Sequence, residues 1–376
     1  MITRITNGNV LIDGVFQKTD LYFENNTIIG CGEMPYDVSI DAKGNYVTAG
    51  FIDLHCHGGN GFDFTDGDVE GNKQAALMHL QHGTTTLFPT ILSADMEQLN
   101  KAICAVEEAQ KSTPILGGIH LEGPYFSPNQ MGAQNGKALR CPDPEEYSAI
   151  LNHHKIARWD YAPELDEDFR FVKALQAAGV IPAAGHTDAT CEQMEKAAEQ
   201  GCKLITHLYS CTSTIRREAG FRIAGVVEAA YLRDDIYAEL IADGCHLPHS
   251  LLRLAYKQKG ADRLVLVTDA IRAAGLQQVD RFDLGGVACI VEDGVAKLSD
   301  RSAFAGSIAT ADRLVRTCVA AGIPLADSVK MITKTPAECM GLTRKGVLAS
   351  GYDADIVIFD NDIAIQAVFS QGEKVI

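Results

Sequence analysis

"GFIDLHCHGG", residues 50–59, ends an apolar run in two histidines one residue apart, His55 and His57, followed at once by glycines. The apolar run, Val47 through Leu54, suits a buried strand. Side chains two apart in a strand point to the same side, so His55 and His57 face one way at its C-terminal end. Gly58, Gly59 and Gly61 then force a loop. Two imidazoles so placed can share one metal ion. They can equally form a hydrogen-bonded core pair, so the rest of the chain has to decide.

Outward from this segment the chain repeats a rhythm of apolar strand, polar loop and helical stretch. After the strand over 51–56, further strand candidates fall at 84–90, 115–123, 156–164, 180–186, 203–208, 236–244 and 263–270. Helical stretches such as "MEQLNKAICAVEEAQ" and "CEQMEKAAEQG" lie between several of them. Eight strand–helix units predict an α/β fold, a (β/α)8 TIM-type barrel over residues 50–344. A doubly wound sheet is the alternative, weakened by the absence of G-x-G-x-x-G after the first strand. Residues 1–49 and 345–376 have another texture, short apolar runs between turn signals. They predict one small β domain built from both termini.

Ionisable residues collect at the ends of these strands. His55 and His57 close the first, Glu122 the third, His186 the fifth and His207 the sixth; His246 follows the seventh and Asp269 ends the eighth. In a barrel those ends converge on one mouth, where active sites sit. Singly, His186 or His207 reads as a core histidine, Glu122 as a loop cap and Asp269 as the partner of an arginine. Their coincidence over six strands points instead to a metal site. His79, His82, His153, His154 and His249 fall in helices or loops and read as surface residues, and His120 as structural.

Composition bounds the rest. The chain has 376 residues, 46% of them hydrophobic, and a formal charge of −16. That charge argues against a nucleic-acid partner. No apolar run approaches transmembrane length and none reads as a signal peptide. Eleven scattered cysteines without a Cys-x-x-Cys pair suggest free thiols and a cytoplasmic location.

With these residues in place, the chain resembles the amidohydrolase superfamily, and within it the N-acetylglucosamine-6-phosphate deacetylase family. The matching segments are "GFIDLHCHGG", "GIHLEGPYFSP", "AAGHTDAT", "ITHLYS", "IADGCHLP", "LVTDAI", "FAGSIATADRLVR" and "GYDADIVIFD", in the family's order and over nearly the whole chain. The resemblance implies a barrel with a small β-sandwich split between the termini, and a homodimer. It implies one or two divalent metals per chain, with Zn²⁺ first and Fe²⁺, Mn²⁺ or Co²⁺ as alternatives. Glu122, His186 and His207 would hold the main metal, and His55 and His57 a second one bridged by Glu122. The substrate would be an N-acetylated amino sugar phosphate. Metal-activated water would remove its acetyl group, with Asp269 as general acid/base and His246 contacting the acylated substrate. Arg217, in "RREAG", would grip the phosphate, often across a dimer interface.

The substrate pocket departs from the family pattern. Met131 and Gln134 stand where the family carries a lysine and a sugar-contacting histidine. Ser210, Cys211 and Thr212 stand where it carries Asn-Ala-Met. The reaction class survives these changes. They keep open an amidohydrolase of the same mechanism acting on another N-acyl amino sugar or a cyclic amide. A non-catalytic metal-binding or scaffold protein is a third reading, and the presence of Asp269 argues against it.

Overall fold

The apolar run around residue 50 is two strands and not one: Tyr46–Ala49 and Phe51–Cys56. This is seen in a computed structural model that describes residues 1–376. The break falls at Gly50, where a Cβ would lie 2.0 Å from Thr85 Oγ1. With no side chain there, the backbone passes tight against its neighbour and changes sheets. Tyr46–Ala49 pairs with Ile2–Ile12 and Ile356–Phe359, strands of the two chain ends. Phe51–Cys56 pairs with Thr84–Ile91.

Phe51–Cys56 is the first of eight barrel strands. The others are Thr84–Ile91, Ile119–Glu122, Ile156–Tyr161, Ile181–Ala184, Leu204–Ile205, Tyr237–Ile241 and Leu264–Val267. They lie in sequence order and each pairs in parallel with the next. A bridge between Cys56 and Ala270 closes the ring at its mouth, where Asp269 N–H donates to the His55 carbonyl at 2.9 Å. A helix follows every strand, as a (β/α)8 barrel requires.

The helices follow from pattern and caps. In Met96–Gln110, Leu99, Ala102, Ile103, Val106 and Ala109 are buried, one face at helical spacing. Asp95 caps it by accepting from Gln98 N–H.

The termini form an eight-stranded mixed sheet in which Ile2–Ile12 takes Val15–Glu24 on one edge and both Val38–Asp41 and Tyr46–Ala49 on the other. Its core includes Ile5, Val10, Phe23, Val47, Ile358 and Phe369, residues from both ends. After the eighth barrel strand, three antiparallel strands spanning Arg281–Leu298 carry Leu284 over the mouth. No helix is long and apolar enough to cross a membrane.

Candidate metal centre

Local backbone geometry aims each mouth residue inward. Glu122 is the last residue of the third strand, and His55 and His57 flank the end of the first. His186, His207 and Asp269 each sit two residues beyond their strands, with left-handed φ of 46°, 29° and 48°. Such conformations cost energy for non-glycine residues and gather where function demands them. All six residues are nearly or fully buried.

The acceptor atoms converge. Glu122 Oε1 lies 3.1 Å from His186 Nε2 and 3.0 Å from His207 Nε2, and the two nitrogens are 3.2 Å apart. On the other side, Glu122 Oε2 is 3.3 Å from His57 Nε2, which is 3.2 Å from His55 Nε2. Asp269 Oδ1 stands 3.4 Å from His55 Nε2 and 3.2 Å from His57 Nε2. Glu122 therefore belongs to two three-residue groups, one with His55 and His57 and one with His186 and His207.

Whether these residues suit a cation can be read from the tautomers. His186 Nδ1 donates to the Gln130 carbonyl at 2.8 Å. A carbonyl only accepts, so the proton is on Nδ1 and Nε2 aims a lone pair at the Glu122 carboxylate. In the neutral ring two acceptors then face each other at 3.1 Å, and a cation between them resolves the conflict. His57 Nδ1 and His207 Nδ1 have no partner, so no bond there fixes the tautomer of either ring, and both Nε2 atoms face carboxylate oxygens. Imidazole and carboxylate donors of this kind suit a divalent transition metal.

The electrostatics show the same demand for positive charge, which protonated imidazoles meet where no cation is bound. Burial pushes the Glu122 carboxyl up, but His55, His186 and His207 overcome it and hold the group well below its usual range. Burial opposes ionisation of Asp269 too, yet the hydrogen bond from His57 and the charges of His55, His57 and His207 bring it down to about 2. Burial works to lower His57, and Asp269 and Glu122 reverse that.

The centre opens into a cavity of about 290 Å³. Gln134, Ser210, Cys211 and His246 line it; Met131 is exposed and does not. Gln134 is already partly engaged. Its amide donates to Glu122 Oε2 at 2.6 Å, and its carbonyl accepts from Ser93 N–H at 3.0 Å. His246 Nδ1 is held by Asp243 Oδ2 at 2.9 Å. Arg217 lies outside the cavity, exposed on a hairpin of Arg216–Glu218 and Phe221–Ile223. The cavity lining contains no lysine or arginine.

Two sequence readings change. His79 is fully buried and not at the surface: its Nε2 sits 2.9 Å from the Gly58 carbonyl and 3.1 Å from Cys56 Sγ. It packs beneath the loop that follows His57. Sequence reasoning also passed over Arg158, Asp160 and Glu239, all with no exposed surface. The signal was present: Arg158 and Asp160 are i and i+2 on one barrel strand, and Glu239 is a lone charge inside "YAELI". His120, expected to be structural, is buried beside them, with Nδ1 2.9 Å from Thr90 Oγ1.

The chain matches known proteins in sequence and in fold. Residues 46–375 match the Amidohydrolase family. The chain is 35% identical to the N-acetylglucosamine-6-phosphate deacetylase of Lysinibacillus sphaericus, over 89% of this chain and 86% of that protein. It is 32% identical to that of Bacillus subtilis, over 90% and 87%. The crystal structure of the Pasteurella multocida deacetylase superposes with a TM-score of 0.93 at 29% identity, covering 100% of this chain and 99% of that one. A variant of the Mycobacterium smegmatis enzyme, solved in complex with N-acetyl-D-glucosamine-6-phosphate, superposes at 0.91 with 29% identity and the same coverage. The chain belongs to the amidohydrolase family and is a metal-dependent hydrolase.

Proposed function

We propose that this protein hydrolyses the acetamide of N-acetylglucosamine-6-phosphate to glucosamine-6-phosphate and acetate. The observation that carries the reading is the convergence of five acceptor side chains and one ionised carboxylate, Asp269, at the floor of one cavity. The deacetylases of known structure share this fold over the whole chain.

Glu122, His186 and His207 would hold the main cation, and His55 and His57, with Glu122 between, a second. Zinc fits best, with iron, manganese or cobalt possible by chemistry. A divalent cation bound there supplies Lewis-acid polarisation of the amide carbonyl and eases deprotonation of water near neutral pH. Asp269, ionised, takes the proton from the attacking water and passes it to the departing amine nitrogen. His246 keeps its Nδ1 proton on Asp243. As imidazolium it presents Nε2–H to the substrate carbonyl; when neutral it accepts from a substrate N–H or hydroxyl.

The phosphate needs a cation that the cavity's own walls do not supply. Arg217 is the candidate, brought by a second copy of the chain. Its hairpin carries exposed Ile215 and Phe221 beside Arg217 and Arg222, an apolar and basic surface suited to a homodimer. A guanidinium fork then meets the phosphate bidentately. In this reading residues 50–344 form the catalytic barrel, and 1–49 with 345–376 the small β domain. Eleven free cysteines suit the reducing cytoplasm.

The second reading keeps the mechanism and changes the substrate to another N-acyl amino sugar or a cyclic amide. The engaged Gln134 amide and the cation-free lining favour it. A hydrolysis screen of N-acyl sugars with and without a phosphate, on zinc-loaded protein, separates the two. Preference for N-acetylglucosamine-6-phosphate that Arg217→Ala erases, chiefly through KM, supports the first. Equal hydrolysis of neutral N-acyl compounds, unchanged in Arg217→Ala, establishes the second.

A further inference from the structure

Below the mouth lies a second polar layer that the hydrolytic reading does not use. Arg158, Asp160, Thr206 and Glu239 are all fully buried inside the barrel. Burying this many ionic groups costs several kcal/mol per ion, and well-packed apolar residues often serve stability as well or better. Stability alone is therefore a poor account of the layer, and its contacts point upward to the metal centre.

We propose that Glu239, locked in place by Arg158, is the positioning residue that makes His55 a metal ligand. The inference rests on the reading of His55 and His57 as a second cation subsite. Glu239 Oε2 faces three donors: His55 Nδ1 at 3.4 Å, His207 N–H at 3.3 Å and Arg158 Nη2 at 3.2 Å. Arg158 Nη1 donates to the other oxygen, Glu239 Oε1. An ionised carboxylate only accepts, so the His55 proton sits on Nδ1. Nε2 is left with its lone pair facing His57 Nε2, Glu122 Oε1 and Asp269 Oδ1. A carboxylate behind a ligating histidine fixes its tautomer and ring orientation and raises its basicity.

Arg158 itself cannot turn. Its Nε and Nη2 meet the two oxygens of Asp160 at 3.0 and 3.1 Å. Its Nη2 also meets Thr206 Oγ1 at 2.8 Å, and Nη1 the Leu54 carbonyl at 3.3 Å. Thr206 in turn donates to Asp160 Oδ2 at 2.7 Å. The planar fork thus ties the first, fourth, sixth and seventh barrel strands together around the carboxylate of Glu239. Lysine, a point donor, could not do this.

The test is zinc affinity of the full-length protein, measured by competition with a chelating dye, alongside zinc content per chain. Wild type should take up two zincs and the His55→Ala, His57→Ala double variant one. Glu239→Gln should keep the first zinc and bind the second about 10–100-fold more weakly, with circular dichroism unchanged. Should Glu239→Gln fail to fold, ¹⁵N spectra of wild-type protein labelled at histidine and loaded with zinc decide. His55 should show a protonated Nδ1 and a metal-bound Nε2, and metal on Nδ1 overturns the role. Two zincs of wild-type affinity in Glu239→Gln overturn the role alone. A wild-type chain that takes up only one zinc overturns the second subsite and the role together.

Discussion

At the scale of single residues the account turns on what each side chain can accept or donate. Asp269 faces the imidazoles as an ionised carboxylate. Asparagine keeps its shape but cannot take a proton. Asp269→Asn is expected to fold, to keep its metal and to lose about 10²–10⁴-fold in kcat; near-normal turnover would rule the role out. Gln134 spans Ser93 N–H and Glu122 Oε2. Gln134→Ala leaves the buried Ser93 N–H unpaired, at about 1–3 kcal/mol of stability, seen as a lower denaturation midpoint. A midpoint equal to wild type would mean that the clamp is not formed in solution. Much at this scale was readable from sequence. His55, His57, Glu122, His186, His207 and Asp269 all stand at strand ends, where a charged or imidazole side chain needs a reason. Glu239 and Arg158 stood out as charges inside strands, but their role was not readable, because it depends on the inward phase of two separate strands and on what lies opposite. The engagement of Gln134 depends on a loop geometry that no local pattern encodes.

At the scale of elements, Gly50 and the helix Val69–Gln81 mark where local reading fell short. The apolar run over Val47–Leu54 reads as one strand because both of its halves are buried; only a switch of pairing partner at Gly50, where the backbone leaves no room for a Cβ beside Thr85, divides it. Gly50→Ala should therefore cost about 1–3 kcal/mol by overpacking, with partial recovery when Thr85 is also shortened to Ala. An unchanged denaturation midpoint in the single variant would show that the approach of the two strands is not tight. His79 follows Ala75 and Ala76 at i+4 and i+3, so it shares their buried face. The helical phase therefore held the correction to its surface reading. Burial pushes the His79 imidazole down to about 4. The unfolded chain takes up a proton below about pH 6.5, while the folded chain resists until about 4. Stability from this residue is present above about pH 6.5 and lost as the pH falls towards 4. His79→Gln should flatten the pH dependence of unfolding free energy across that window; a slope equal to wild type would contradict the burial account.

At the scale of the whole molecule, the sequence already indicated a barrel with β structure at both ends, because eight strand–helix units and two β-rich termini have different periodicities. The branching of the terminal sheet, with Ile2–Ile12 taking three partners, was not legible, nor was the pairing of Tyr46–Ala49 with Ile356–Phe359, since contacts between strands far apart in the chain leave no local trace. A chain of net charge −16 whose cavity lining lacks a cation must borrow one to hold a phosphate. If a second copy supplies Arg217, Phe221→Asp on the same hairpin should shift the protein towards monomer in sedimentation and raise KM for the phosphorylated substrate. A dimer undisturbed by that change would place the interface elsewhere.

If Glu122 shares its oxygens between two histidine pairs at the heart of a metal centre, its removal empties both subsites. Metal content after zinc reconstitution and desalting tests it most directly, comparing wild type with Glu122→Ala of matching circular dichroism. The account predicts at least one zinc per wild-type chain and close to none in the variant. Equal zinc in the two proteins would contradict it.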